Sequence, residues 1–212
     1  MLNSLGSIDF YMVTDSSLTK NGIISDVENA LRAGCRIVQY REKNKSTNEM
    51  IKEALQLKKI CFGKATFLIN DRIDVALAVD PDGVHIGQED MDFKIVRKLF
   101  GKDKIIGLTV HNIKEAVEAE RIGLDYIGLA PIFETDTKEN AQNPIGVEII
   151  KKIRKKVNLP IVAVGGIDKE NVKDVIRAGA DSVVSIKAVL NSNDTYNEIK
   201  DFIKIIGECK KR

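Results

Sequence analysis

Three polar side chains occupy every second position in the segment "IVQYREK", residues 37–43. The apolar, β-branched start of this segment predicts a buried strand, in which Gln39, Arg41 and Lys43 share one face. A solvated strand end would explain the two cations by themselves. Gln39, however, lies one step deeper and needs an internal partner, and three aligned donors suit a polyanion such as a diphosphate. We therefore expect this face to bind a diphosphate that completes its charge balance.

Two carboxylates each follow an apolar run, Asp71 in "LINDR" and Asp90 in "HIGQED". From local sequence alone, either residue could be the N-cap of the helix that follows, because Asp is a preferred N-cap residue. The alternative is a Mg²⁺ site. Two carboxylate ligands completed by substrate phosphate oxygens and water are a usual way to hold this ion.

Further candidates occur late in the chain. The segment "FETDTKENAQNPIG" is a long polar loop with two hydroxyls, Thr135 and Thr137, and then Lys138, a candidate for phosphate contact. The segments "VAVGGI" and "DSVVSIK" add Gly166 and Lys187. Glycine-rich loops after the last strands of a barrel often bind phosphate through backbone N–H groups. His85 and His111 are the only histidines, and without a Ser or Cys nucleophile motif neither predicts a hydrolase triad.

The elements that must position these residues alternate regularly along the chain. Eight short apolar runs, from "FYMVTD" to "SVVSIK", are separated by segments of helical period such as "TNEMIKEALQLKKI". This alternation predicts an α/β fold with a parallel sheet, and eight units predict a (β/α)8 TIM barrel formed as a single domain by residues 1–212. An open doubly wound sheet is the alternative, but no G-x-G-x-x-G motif follows the first run.

In such a barrel the residues at the carboxyl ends of the strands are the candidates for the active site. Besides the residues above, they include Thr14, Asp15, Asn70, Thr109 and Ser185.

Composition excludes several classes of function. The 212 residues include 33 Lys and Arg against 31 Asp and Glu, a net charge of +2, which is too balanced for a partner selected by bulk charge. We therefore expect small-molecule substrates rather than nucleic acid or a membrane surface. Three widely spaced cysteines without a CxxC pair predict a reducing, cytoplasmic location. Barrels of this size often pair, so a homodimer is possible.

Together these motifs resemble the thiamine-phosphate synthase family, also called thiamine-phosphate pyrophosphorylases. The matching segments are "YMVTD", "VQYREK", "LINDRIDVALAVDPDGVHIGQED", "IIGLTVH", "DYIGLAPIFETDTK" and "VAVGGI". They occur in the family's order from residue 11 to about residue 187. The resemblance implies a (β/α)8 barrel that joins hydroxymethylpyrimidine diphosphate to thiazole phosphate, with release of pyrophosphate.

The resemblance also implies roles for individual residues. Asp71 and Asp90 would bind Mg²⁺, and Arg41, Lys43 and Lys138 would neutralise the departing pyrophosphate. The residues expected to contact the pyrimidine diphosphate are Gln39, Tyr40, Arg41, Glu42, Lys43, Asn70 and Thr109, with Lys138 at the pyrophosphate. Those expected around the thiazole phosphate are Thr135, Thr137, Gly166, Ile186 and Lys187.

Two positions depart from the family pattern, and two other functions are open. Thr109 stands where Ser is common, and Lys187 stands where the family usually has Ser, so its contact with the thiazole phosphate is in question. A related thiazole tautomerase, using "FETDTK" and His111, would need no diphosphate site. A phosphate-ligand sensor on the same scaffold would need no catalysis. The segment "QYREK" and the pair Asp71 and Asp90 favour the transferase.

Overall fold

The computed structural model describes residues 9–135, 137 and 143–211. In these residues eight parallel strands form one sheet in sequence order, with helices between them. The strands are β1 (Tyr11–Val13), β2 (Ile37–Tyr40), β3 (Thr66–Asn70), β4 (Gly83–Ile86), β5 (Ile105–Val110), β6 (Tyr126–Leu129), β7 (Ile161–Val164) and β8 (Ser182–Val184). The predicted single-domain (β/α)8 barrel is confirmed.

Seven of the helices in the described residues return the chain to the start of the following strand, and two more follow β8. They are α1 (Ile23–Ala33), α2 (Thr47–Cys61), α3 (Ile73–Val79), α4 (Phe93–Phe100), α5 (Ile113–Arg121), α6 (Glu148–Arg154), α7 (Val172–Arg177), α8 (Ile186–Leu190) and α9 (Thr195–Lys210). The start of α2 is fixed by a capping box, in which Ser46 and Glu49 each accept from the other's backbone N–H. At the end of α1, Gly34 adopts a φ of 105°, which a glycine tolerates best.

Two apolar layers follow from the alternation of side chains along the strands. The inner layer fills the barrel with Tyr11, Val13, Ile37, Leu68, Ile105, Tyr126, Val162 and Val184. The outer layer packs the other strand face against the helices, with Val38, Ile69, Ile106 and Ile127 among its members. Because both strand faces are buried, the strands are mostly apolar, with Gln39, Asn70, His85 and Thr109 as polar residues toward their carboxyl ends. Polar side chains therefore concentrate where the strands end.

The barrel closes where the end of the chain meets its beginning. Phe10, the residue before β1, forms an isolated parallel bridge with Val183 of β8. The fully buried Asp26 of α1 accepts hydrogen bonds from the hydroxyls of Thr19 and Thr195, the latter at 2.9 Å. This carboxylate ties α1 to the start of α9. No helix in the described ranges is long and apolar enough to cross a bilayer.

Candidate active site

A cavity of about 1300 Å³ opens at the carboxyl ends of the strands. It gathers twelve of the residues predicted from the sequence: Gln39, Arg41, Lys43, Asn70, Asp71, Asp90, Thr109, Thr135, Thr137, Gly166, Ile186 and Lys187. The distances between these residues along the chain are large, so the barrel topology alone brings them together. Lys138 lies outside the described residues.

Tyr40 and Glu42 point away from the cavity. Alternation along β2 sends the Tyr40 side chain into the outer layer, where its hydroxyl donates to Glu53 at 2.8 Å. The Glu42 carboxylate is buried in the loop after β2 and accepts from Ser16 and from the backbone N–H groups of Lys43 and Asn44. These two side chains shape the loop that carries Arg41 and Lys43.

The polar residues of β2 and its loop have partners within the protein. Gln39 is buried and donates from Nε2 to the Tyr11 hydroxyl at 2.7 Å. Arg41 pairs with Asp15, and Lys43 donates to Asp71 Oδ2 at 2.6 Å. Carboxylates of the barrel therefore supply part of the charge balance of these two cations. That a diphosphate completes this balance stays a prediction.

Asp71 and Asp90 are not N-caps, so that alternative is wrong for both. The N-cap of α3 is Arg72, and the N-cap of α4 is Asp92, whose side chain accepts from Lys94 N–H. Asp90 instead accepts from the backbone N–H of Gly87 at 2.6 Å, which turns its carboxylate back toward the end of β4. Both carboxylates line the cavity.

The carboxyl groups of Asp71 and Asp90 lie close enough to hydrogen-bond with each other, and this moves their pKa values apart. Burial raises the pKa of Asp90, and its contact with the Asp71 carboxyl raises it further, against the lowering effect of the Gly87 N–H. Burial also acts to raise the pKa of Asp71, but its hydrogen bonds with Lys43 and Asp90 and the charge of Lys43 lower it overall. Two adjacent carboxylates repel each other when both are ionised, and a cation between them removes that repulsion.

A chain of hydrogen bonds crosses the barrel beneath the cavity. Tyr11 and Tyr126 meet through their hydroxyls at 2.8 Å, Tyr126 contacts His85 Nδ1 at 2.8 Å, and His85 Nε2 contacts the Thr109 hydroxyl at 2.9 Å. Because Gln39 Nε2 donates to the Tyr11 hydroxyl, one consistent set of donors runs from Tyr11 to Tyr126, from Tyr126 to His85 Nδ1, and from His85 Nε2–H to Thr109. In this set the Thr109 hydroxyl can donate its hydrogen to a ligand. Burial keeps both tyrosines protonated by raising their pKa values.

The sequence analysis did not predict that the two tyrosines of this hydrogen-bond chain contribute to the site. Tyr11 and Tyr126 occupy inward positions of β1 and β6, and an aromatic residue there is usually an apolar core residue. Their hydroxyl partner is 115 residues away along the chain. The inward register was the one available signal, since a buried phenol hydroxyl needs a partner.

The loops after β6 and β7 pack together on the opposite side of the cavity. Phe133 N–H donates to the Gly165 carbonyl at 3.0 Å, and Gly166 has a φ of 60°. A Cβ added to Gly166 would lie 2.4 Å from the Glu134 carbonyl oxygen. Only glycine lets the two backbones approach this closely. The approach brings Thr135 and Thr137 to the cavity beside Gly166.

His111 is held at the end of β5. Its Nδ1 lies 2.6 Å from the Ala130 carbonyl oxygen, and its backbone N–H donates to Glu115. The contact with a carbonyl places the imidazole hydrogen on Nδ1. Glu115 and Glu134, which were not predicted as site residues, also line the cavity.

Comparisons with known proteins assign the family. A sequence model described as "Thiamine monophosphate synthase" matches residues 10–189. The chain belongs to the thiamine monophosphate synthase family. Within it, the chain is 58% identical over 206 residues to the thiamine-phosphate synthase of Methanosarcina mazei, covering 97% of this chain and 86% of that protein. It is 46% identical to the Chloroflexus aurantiacus thiamine-phosphate synthase, over 87% of this chain and 86% of that protein.

A solved structure of the same family has the same fold. The thiamine phosphate pyrophosphorylase of Pyrococcus furiosus superposes with a TM-score of 0.87 at 36% identity, covering 96% of this chain and 97% of that one. The resemblance seen in the sequence is therefore confirmed at the level of the family and the fold.

Proposed function

We propose that this protein is a thiamine-phosphate synthase, a transferase of thiamine biosynthesis that joins hydroxymethylpyrimidine diphosphate to thiazole phosphate. The observation that carries the proposal is the ion pair of Lys43 with Asp71, whose carboxyl also contacts Asp90. Arg41 lines the same cavity. Cations for a leaving diphosphate and carboxylates for its metal ion are thus side by side. Membership in the family supports the same activity.

The reaction that suits this site needs no protein nucleophile. The bond between the pyrimidine methylene carbon and the diphosphate oxygen breaks, and its electron pair leaves with pyrophosphate. The electron-rich aminopyrimidine stabilises the resulting cation, and the thiazole nitrogen then forms the new C–N bond with its lone pair. Arg41 and Lys43 stabilise the charge that develops on the leaving group. Lys138 is expected to join them.

The donor set of the carboxylate pair fits Mg²⁺. Asp71 and Asp90 offer hard oxygen ligands. In residues 9–135, 137 and 143–211 no third His, Cys, Asp or Glu joins them to form a larger ligand group. An ion held by two carboxylates keeps positions for water and diphosphate oxygens, as Mg²⁺ prefers. When bound, Mg²⁺ would supply charge neutralisation to the leaving group. The residues that hold and orient Asp71 and Asp90 are Lys43 and Gly87.

The two ends of the cavity suit the two substrates. Near β2 and β5, Gln39, Asn70 and Thr109 would bind the pyrimidine diphosphate. With His85 Nε2–H as the donor to Thr109, the Thr109 hydroxyl would donate its own hydrogen to the substrate. Near the loops after β6, β7 and β8, the thiazole phosphate would lie among Thr135, Thr137, Gly166, Ile186 and Lys187, which line that side. With the substrates bound in this way, the thiazole would lie beside the carbon that loses pyrophosphate, which supports the proposal.

One assay tests the function. Purified protein is incubated with hydroxymethylpyrimidine diphosphate, thiazole phosphate and Mg²⁺, and pyrophosphate and thiamine phosphate are measured. We expect both products in equal amounts and neither when either substrate is omitted. Isomerisation of a thiazole carboxylate phosphate without pyrophosphate release would instead identify a tautomerase. Substrate binding without turnover would identify a sensor.

Two expectations concern the protein in the cell. We expect it in the cytoplasm, from its cysteine pattern, with small molecules as its partners.

A homodimer is also expected, and sedimentation velocity measures the size of the assembly. On α4, Ile95 and Leu99 are about half exposed, and Ile95→Lys would shift the sedimentation coefficient if the subunits met at this helix.

A further inference from the structure

Thr14 and Asp15 follow β1 directly, and both contact Arg41, more than 25 residues later in the chain. Both are buried, at 0% and 7% exposure, and neither is among the residues that line the cavity. They lie behind Arg41 as seen from the cavity and cannot touch a substrate there. Thr14 contacts the backbone of Arg41, and Asp15 contacts its side chain.

Thr14 fixes the backbone of Arg41. The ladder between β1 and β2 continues through Thr14 N–H, which donates to the Gln39 carbonyl at 3.0 Å. The Thr14 hydroxyl then accepts from Arg41 N–H at 2.9 Å and donates to the Arg41 carbonyl at 3.1 Å. A single side chain therefore satisfies both polar backbone groups of a residue that lies beyond the end of β2.

Asp15 fixes the side chain of Arg41. Its Oδ2 accepts from Arg41 Nη1, while its Oδ1 accepts from the backbone N–H and the hydroxyl of Ser17, at 3.0 and 2.5 Å. Because Ser17 holds one carboxylate oxygen, the other has a set direction. A guanidinium carries five N–H donors, and the Asp15 contact uses Nη1 alone. Among the residues that the structure describes, Asp15 is the one side-chain partner of this guanidinium, so its other nitrogens can donate to a ligand on the cavity side.

We propose that Thr14 and Asp15 are positioning residues that hold the Arg41 guanidinium toward the diphosphate of the pyrimidine substrate. The inference rests on the function proposed above and extends it to two residues outside the cavity. Donors stabilise a developing charge best when they are aimed before the reaction starts. Arginine has a long and flexible side chain, so its aim depends on a partner that is itself fixed.

The contact between Asp15 and Arg41 could instead weaken substrate binding, and the KM for the pyrimidine diphosphate distinguishes the two roles. A carboxylate that only competed with the diphosphate for Arg41 would weaken substrate binding, and its loss would lower the KM for the pyrimidine diphosphate. A positioning carboxylate strengthens binding, so its loss raises that KM. The direction of the change therefore identifies the role.

The test is a double-mutant cycle of Asp15→Asn and Arg41→Gln, with kcat and KM measured for each substrate. We expect Asp15→Asn to raise the KM for the pyrimidine diphosphate by about tenfold, as for loss of a charge-assisted contact, and to change the KM for thiazole phosphate little. In the Arg41→Gln background, Asp15→Asn should have no further effect, because Asp15 acts through Arg41. A purely structural role would give additive effects.

Two more variants and one binding measurement complete the experiment. Ser17→Ala removes one partner of Asp15 and should raise the same KM by a smaller factor, which keeps the test open if Asp15→Asn folds poorly. Asp125→Asn is the matched control, since Asp125 pairs with Arg97 at 2.8 Å and accepts from Ile106 N–H at the other end of the barrel. It should lower the melting temperature and leave both KM values unchanged.

Calorimetric titration with inorganic pyrophosphate and Mg²⁺ measures binding without turnover. Asp15→Asn should weaken this binding by a similar factor of about ten. Additive effects in the cycle, or tighter binding in Asp15→Asn, would overturn the positioning role. If the parent protein forms no thiamine phosphate, the proposed function fails, and the pyrophosphate titration still decides whether Asp15 positions Arg41.

Discussion

The backbone of Asp71 lies in the left-handed region, with φ at 55°, and this decides which substitution best tests its role. Asn adopts this conformation more readily than Ala does. A change to Asn therefore removes the negative charge with little backbone strain, whereas a change to Ala adds a strain of about 1 kcal/mol. The two substitutions separate metal binding from folding.

Asp71→Asn and Asp90→Asn should each raise the Mg²⁺ concentration needed for half-maximal turnover and lower the turnover rate. The reason is the loss of one of the two carboxylates that would hold Mg²⁺. Mg²⁺ titrations of activity, combined with thermal melts, measure both effects. Asp92→Asn, at the N-cap of α4, is the matched control and should leave the titration unchanged. Unaltered Mg²⁺ dependence in both site variants would contradict the metal assignment.

Lys187 lines the cavity at the start of α8 and is exposed. If its ammonium contacts the thiazole phosphate, Lys187→Ser should raise the KM for that substrate by about tenfold, with a smaller effect on the pyrimidine diphosphate. Steady-state kinetics with each substrate varied in turn measures the difference. Lys151→Ser, on the exposed face of α6, is the control. Equal changes for both substrates would show that Lys187 points elsewhere.

At the scale of the elements, the contact between β5 and β6 depends on a glycine. A Cβ added to Gly107 would lie 2.1 Å from Cζ of Tyr126, the ring that carries the hydrogen-bond chain. The neighbouring strand thus leaves room for Tyr126 only because Gly107 has no side chain. The polar chain to Thr109 and the packing of β5 against β6 therefore depend on the same residue.

Gly107→Ala should lower the free energy of unfolding by about 1–3 kcal/mol, the usual cost of overpacking a core. Gly207→Ala gives the opposite expectation, because Gly207 lies within α9 and an added Cβ would meet nothing within 4 Å. That change should stabilise the protein by about 0.5–1 kcal/mol. Urea unfolding curves measure both values. A neutral Gly107→Ala would show that Tyr126 can move without loss.

At the scale of the whole molecule, the thiols report the integrity of the barrel. Cys35 and Cys61 are buried and Cys209 is partly exposed. Burial raises the pKa of Cys35 from 9.0 to about 11 and that of Cys61 from 9.0 to about 12. Because the thiolate is the reactive form, both groups are protected at neutral pH by burial and by their raised pKa values.

Titration of the native protein with a thiol reagent at pH 8 should therefore modify Cys209 quickly and Cys35 and Cys61 only as fast as the barrel opens. Cys209→Ser should abolish the fast phase, and urea should expose the remaining thiols. The time course of absorbance measures the count and the rates. Fast modification of more than one thiol in the native state would show that the barrel opens locally around Cys35 or Cys61.

The sequence by itself determined the barrel and the edge at which the site lies. Its apolar runs and helical segments follow the periods of strands and helices, and parallel strands bring all their carboxyl ends to one edge. This is why Arg41, Lys43, Asp71, Asp90 and Thr109 could be placed at one cavity before the structure was known. The resemblance of the motifs added the chemistry.

Only the tertiary structure decided which of these groups touch. Local sequence favoured N-capping for Asp71 and Asp90, yet Asp92 caps α4 and the two carboxylates meet each other. The resemblance to the family also placed Tyr40 and Glu42 with the ligand, although the register of β2 turns Tyr40 outward. Partners such as Asp15 for Arg41 and Tyr126 for Tyr11 are separated by 26 and 115 residues. Sequence periodicity reports which face a side chain takes, whereas its partner depends on how strands far apart in the chain align across the barrel.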